Sequence, residues 1–289
     1  MMERNSCILL MLCSFAFLDK NSVGAQKTRL INATLSQLSY FPCMVQIVKK
    51  NDEHVCGGCI LDDENVITAA RCVKPFRQNW SGTELKVRGG DVILQNSKLP
   101  TFQVRNVRKF VVHPDFNEKT LENDVALLKI SDPFMPAPNL HEAQKGLSTP
   151  RGRCFLPGWQ NNKEKIGILH FATVYVTSAS KCSRTVKKTI CAESKTRQGM
   201  CEIDYGGPLI CGTQLYGVFI GPPDACKGKP ALFTDLSDFD NWLEKNTYRM
   251  ALDKNRSLLR SAAGADSILG GQMNLIVILP LCALKLLSR

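Results

Sequence analysis

The sequence predicts an all-β domain, an antiparallel sandwich or barrel accompanied by a single C-terminal helix. Three observations carry that expectation. Short β-branched or apolar runs alternate with turn residues from Phe41 to about Leu236. Only Leu236–Met250 has helical periodicity, with Phe239, Trp242 and Leu243 on one face and Asp238 near its start. Ten of the thirteen cysteines fall between Cys43 and Cys226, an even number, as a disulfide framework requires. With 289 residues, 44% of them hydrophobic and 22% charged, the chain has the composition of a globular protein, long for one domain and short for two large ones.

The elements follow in chain order. Cys7–Leu18 is an apolar run ended by Asp19-Lys20 and followed by Val23-Gly24-Ala25, the pattern of a signal peptide cleaved after Ala25. Such a leader directs the chain to an oxidising compartment, where disulfides persist. Strand-like runs come next: Met44–Val48, Val66–Ala69, Glu84–Arg88, Phe102–Val112, Val125–Ile130, Ile168–Val176 and Leu215–Ile220. No internal repeat or low-complexity segment stands out. Three N-x-S/T sequons, at Asn32, Asn79 and Asn255, fit a glycosylated surface. Beyond the helix, Ser261–Ala265 is a run of small residues, followed by a short spacer and the apolar stretch Met273–Leu287. That order is the pattern of a glycolipid-anchor signal, with Gly264 as one candidate attachment residue. The alternatives are a single-pass helix, which Pro280 and the short apolar length disfavour, or a tail docked on the domain.

Formal net charge is +11. The four charges of residues 1–25 cancel and the last 25 residues carry +1, so the body holds +10. An excess of this size suits anionic partners such as sulfated glycans, or serves only solubility. No basic stripe interleaved with aromatics appears, which argues against nucleic acid. The cysteines lack the paired C-x-x-C spacing of a zinc site, so no metal and no cofactor is expected.

Four stretches, in order, resemble the trypsin/chymotrypsin family of serine proteases. They are Cys56-Gly57-Gly58-Cys59-Ile60 running on to Ile67-Thr68-Ala69-Ala70-Arg71-Cys72; Asn123-Asp124-Val125-Ala126-Leu127-Leu128; Pro157-Gly158-Trp159; and Cys201-Glu202-Ile203-Asp204-Tyr205-Gly206-Gly207-Pro208-Leu209. The likeness covers roughly Leu30 to Met250. It implies two six-stranded antiparallel β-barrels with a C-terminal α-helix, and disulfides Cys56–Cys72, Cys154–Cys211, Cys182–Cys191 and Cys201–Cys226. The chain then divides into a signal peptide (1–25), a short pro-segment (26–29), the trypsin-like domain (30–250), a stalk (251–264) and a removed signal or anchoring tail (265–289). Cys43 and Cys59 remain. Each lies eight residues from Asn51, so a hairpin centred there sets them face to face as a fifth disulfide, the alternative being two buried thiols.

Peptide hydrolysis on this fold needs a hydroxyl nucleophile, a histidine base, a buried aspartate that orients it, and backbone N–H groups for the oxyanion. The resemblance puts Asp124 at the aspartate position, Arg71 at the histidine position and Tyr205 at the serine position. A guanidinium has no lone pair to take a proton and stays charged at any useful pH. A phenol with a pKa near 10 is a poor nucleophile without a base beside it. Ile203 replaces a glycine whose N–H belongs to the oxyanion hole, and its β-branch restricts that backbone. Loss of nucleophile or base alone costs on the order of a millionfold in rate.

The four histidines offer no substitute. His54 precedes Cys56 on a strand, His113 opens a His-Pro turn, and His141 and His170 lie away from the matching motifs. Gly199 stands where trypsin-like members place an acidic residue, and Pro222 removes an N–H that pairs with an extended peptide. The activation junction reads Arg29-Leu30-Ile31-Asn32-Ala33, not Ile-Val-Gly-Gly after the arginine, so the insertion of a new amine beside Asp204 is not expected. Asp124 would be costly to bury unpaired, and Arg71 is expected to pair with it, the alternative being backbone donors alone. The resemblance therefore implies no enzyme but a secreted or cell-surface binding protein, engaging a protein partner and held at the membrane through its C-terminal tail. A decoy for protease substrates or inhibitors is the alternative, and an active peptidase of unusual mechanism the remote one.

Overall fold

The computed structural model describes residues 34–247, apart from 80–81, 95–96, 163–164, 183–185, 197–204 and 222–228. The first six long strands are β1 (Met44–Lys49), β2 (His54–Ile60), β3 (Asn65–Thr68), β4 (Leu85–Gly89), β5 (Gln103–Val112) and β6 (Ala126–Ile130). They pair antiparallel in the closed order β1-β2-β3-β6-β5-β4. The second six are β7 (Arg153–Asn162), β8 (Lys165–Thr177), β9 (Thr189–Glu193), β10 (Pro208–Cys211), β11 (Gln214–Gly221) and β12 (Ala231–Asp235). Their order, β7-β8-β9-β12-β11-β10, closes through the β7–β10 pairing. Both barrels thus have one topology, a repeat that is invisible in the residues because each barrel fills its interior with a different set of side chains.

Strands covered on both faces, such as β3, β6 and β12, are buried at every position, whereas a half-buried strand alternates. In β4, Leu85, Val87 and Gly89 face inward while Lys86 and Arg88 face out. The first barrel is filled by Val45, Ile47, Ile60, Leu85, Val87 and Leu127, the second by Leu156, Val174, Ile190, Leu209, Phe219 and Phe233. The predicted helix begins as a 3-10 turn, Leu236–Phe239, capped by the Asp235 carboxylate on the Ser237 N–H, and continues as an α-helix over 240–247. A helix the sequence does not announce, α1 (Ala70–Val73), follows β3 and is a single turn long.

Disulfides join Cys56 to Cys72, Cys154 to Cys211 and Cys182 to Cys191. Cys201 and Cys226 lie outside the described residues, as do the leader, the pro-segment, Asn32, Asn255, the stalk, Gly264 and the tail. The expected Cys43–Cys59 bridge is corrected: both are buried, free thiols. The reason is a β-bulge at Val55. Val48 still pairs with His54, but Ile47 pairs with Cys56 and Met44 with Cys59, which moves Cys43 opposite Ile60. The two thiols remain neighbours, and burial pushes the Cys59 thiol well above its usual range, with the Cys43 contact acting the same way.

Candidate functional site

The segments around Gly57, Arg71, Asp124 and Tyr205–Gly207 meet between the barrels. The Gly57 N–H donates to the Tyr205 carbonyl at 2.8 Å, and a Cβ on Gly57 would stand 3.1 Å from the Gly207 Cα. Gly206 has φ +79°, and a Cβ there would fall 2.2 Å from Thr68 Oγ1 and 2.5 Å from the Gly57 carbonyl oxygen. Only glycine permits both this left-handed backbone and this approach. Gly206 N–H donates to Phe219 O (2.9 Å) and Phe219 N–H to Gly207 O (2.8 Å), which ties the segment to β11.

Two turns aim the charged pair. Asn123 adopts φ +54°, a conformation asparagine tolerates, and its side-chain amide donates to Asp115 O at 3.0 Å. The chain then turns Asp124 inward just before β6, where it is fully buried. From the other side, α1 presents Arg71, whose side chain is 18% exposed. Its backbone N–H donates to Asp124 Oδ1 at 3.0 Å and its Nε to Oδ2 at 2.5 Å. The Ala70 N–H also serves the carboxylate, and Thr234 Oγ1 donates to the Asp124 backbone carbonyl at 2.9 Å. Ion pair and backbone donors, weighed as alternatives in the sequence, act together.

Burial nevertheless raises the Asp124 carboxyl above its ordinary value, against the pull of Arg71 and these hydrogen bonds. Loss of hydration outweighs the attraction, as it often does for buried pairs. The Arg71 guanidinium carbon sits 4.7 Å from the centroid of the Tyr205 ring, within cation–π range. That ring rests in turn on Phe219, 5.5 Å away and tilted by 38°. Arg71 Nη2 is buried and finds no hydrogen-bond partner among the described residues. The result is a stack: Asp124, guanidinium, phenol, phenylalanine.

None of the four histidines shares a hydrogen bond or ion pair with Asp124 among the described residues. His54 Nδ1 pairs with the Gln46 amide at 2.7 Å. His113 packs its ring against Phe239 and Trp242, both at 5.2 Å, and accepts from the Asp115 N–H. His141 and His170 reach the backbone carbonyls of Glu142 and Ile168. Ile203, Asp204, Gly199 and Pro222 lie outside the described residues, and Asn79 stands on the short strand Gln78–Asn79. Sequence reasoning missed Ala70, Thr234 and Phe219. An N–H, a hydroxyl 110 residues away and a ring on another strand carry no motif.

The family model for trypsin matches residues 31–243. The chain belongs to the trypsin family. Its relatives within the family include the trypsin of Sus scrofa, 28% identical over 69% of this chain and 88% of that one. Trypsin-4 of Rattus norvegicus is 27% identical over 66% and 79%. The venom peptide isomerase heavy chain of Agelenopsis aperta is 25% identical over 75% and 99%. Among solved structures, neuropsin, a serine protease expressed in the limbic system of mouse brain, superposes with a TM-score of 0.65 at 23% identity, over 75% of this chain and 99% of its own. The two barrels and the C-terminal helix are therefore those of a trypsin-like protein.

Proposed function

We propose that this member of the trypsin family does not cleave peptides and acts as a binding or adhesion protein outside the cell, engaging a protein partner through the loops of the protease scaffold. The observation that carries the reading is the guanidinium of Arg71 at the position of the proton acceptor. It is ion-paired to Asp124 and lies over the ring of Tyr205. An arginine in that pose can neither take a proton from a nucleophile nor return it to a leaving amine, and the phenol beside it is covered on one face by the cation itself. The stack instead satisfies a buried carboxylate of the first barrel and, through the rings of Tyr205 and Phe219, continues onto the second.

Secretion and surface attachment follow from the two terminal segments. Among the described residues no helix is long and apolar enough to cross a membrane. Release of the chain from intact cells by a phosphatidylinositol-specific phospholipase tests the glycolipid anchor directly.

Catalytic silence is tested by exposing the full chain to a fluorophosphonate probe and to a library of peptide substrates. No labelling and no cleavage are expected from the natural chain. Tyr205→Ser and Arg71→His introduced together should raise either signal above the natural chain's. Labelling of the natural chain at any hydroxyl overturns the proposal. Capture on immobilised serine-protease inhibitors would replace the binding reading by that of a decoy.

A further inference from the structure

The outer face of the second barrel carries cations held in an unusual way. Arg153, Tyr175 and Glu193 stand side by side on β7, β8 and β9. Their chain neighbours Cys154, Val174 and Ala192 are fully buried, so these three point outward. Neighbouring strands lie about 4.8 Å apart, which makes the row roughly 10 Å wide. Arg153 places its guanidinium over the Phe155 ring at 5.5 Å. Lys195 places its ammonium 4.0 Å from the centroid of the Tyr175 ring. Among the described residues neither has a carboxylate partner. Arg151 is exposed two residues before Arg153, and the Gly152 carbonyl between them accepts from Val176 N–H, which fixes that end of β7 to β8. Lys181 joins the same edge by pairing with Glu193.

The physical consequence concerns what a cation–π contact does and does not do. A carboxylate that positions a lysine also neutralises it; an aromatic ring positions it and leaves its full charge toward solvent. Arg153 and Lys195 are thus fixed cations on this face, with the exposed Arg151 next along the chain and Lys181, paired with Glu193, at its edge. We infer that this face is a binding site for a sulfated glycan chain outside the cell. Three features favour that partner. Among the described residues the face is a sheet surface, over which a linear polyanion can lie without shape complementarity. Guanidinium forks match sulfate oxygens as they match phosphate. The rings that would otherwise anchor a folded protein partner are already covered by the chain's own cations, and protein interfaces depend on such anchors entering a pocket. The inference deepens the binding reading above but does not require the loss of catalysis, so a failure of either is seen separately.

The test uses the full-length protein and immobilised heparin, with fully desulfated heparin and polyglutamate as comparison surfaces. The triple substitution Arg151→Ser, Arg153→Ser, Lys195→Ser should weaken heparin binding about tenfold, because exposed charge contacts are individually weak and three are removed at once. A charge-matched triple substitution at the exposed Lys50, Lys98 and Lys119 of the first barrel should change it less than about twofold, through long-range screening alone. Glu193→Gln frees Lys181 and should tighten binding, an outcome that loss of folding cannot mimic. The inference is overturned if both triple variants weaken binding equally, if the natural chain binds desulfated heparin as well as heparin, or if it prefers polyglutamate.

Discussion

Two ion pairs bracket the same two strands of the first barrel, and they are built differently. β3 and β6 run antiparallel, with Thr68 opposite Ala126 and Asn65 opposite Lys129. At one end Arg71, just past β3, meets Asp124, just ahead of β6. At the other, Glu64, just ahead of β3, meets Lys129 inside β6 at 2.5 Å. Asp124 is fully buried, and among the described residues the donors of Ala70 and Arg71 serve its carboxylate. The Glu64 side chain keeps 11% exposure and borders an open cavity with Asp62, Asp63, Asn241, Glu244 and Lys245. Glu64 already has access to that cavity, whereas Asp124 has no exposure of its own. The carboxylate of Asp124 therefore depends more on its cation than does that of Glu64, which borders the cavity.

The largest expected effect breaks the first pair. Arg71→Ala leaves a buried carboxylate with backbone donors only and should destabilise the protein by about 3 kcal/mol at neutral pH. The pH dependence has a definite sign. Asp124 titrates above its ordinary 3.8 in the folded protein. The folded state therefore favours the protonated form, and the stability this group contributes is present below 3.8 and lost as pH rises through the folded value. Removing Arg71 raises that value further, so the deficit of Arg71→Ala should shrink as pH is lowered. Adding Asp124→Asn to Arg71→Ala should recover most of it. Urea denaturation at two pH values measures both, and a deficit no larger than that of an exposed arginine would mean the pair is not what stabilises the site.

Lys129→Met should have a smaller effect, about 1–2 kcal/mol in the same urea assay, because the apolar stem is kept and Glu64 can rehydrate from the cavity. Equal costs at the two ends would show that water access does not distinguish them.

The smallest effect is a titration. His113 donates its backbone N–H to the Val125 carbonyl, next to Asp124, and packs beneath Phe239 and Trp242. Burial lowers its pKa; Asp115 opposes the shift and Lys188 adds to it. A base held neutral by folding contributes stability that is present above its ordinary 6.5 and lost as pH falls through its folded value. An NMR titration of the imidazole should give a midpoint below 6.5. His113→Gln should flatten the stability profile in that window while leaving the Asp124 response in place.

The ends of the strand pair also differ in how far they could be read beforehand. Arg71, Asp124 and Tyr205 were legible because each sits inside a motif. The Glu64–Lys129 pair was not, since Asp62-Asp63-Glu64 and an isolated lysine look like a solvated surface in one dimension. α1 escaped notice because a single helical turn is too short to show periodicity. Counting from the turn sets Cys43 opposite Cys59, and one bulged residue on β2, which the sequence does not signal, shifts that register.

The strand pattern and the even cysteine count determined an all-β chain, because side-chain period is a local property, and the four motifs supplied the resemblance to the trypsin family. The same residues determined that a cation and a phenol occupy two positions where the resemblance calls for imidazole and hydroxyl. Tertiary structure alone decided that the cation paired with Asp124 also lies over the phenol and that backbone donors share the carboxylate. It alone decided that both barrels share one strand order, and that Arg153 and Lys195 lie over rings of one sheet face. These depend on packing and register between segments far apart in sequence, where burial and water access, not residue identity, set the energy of a charge.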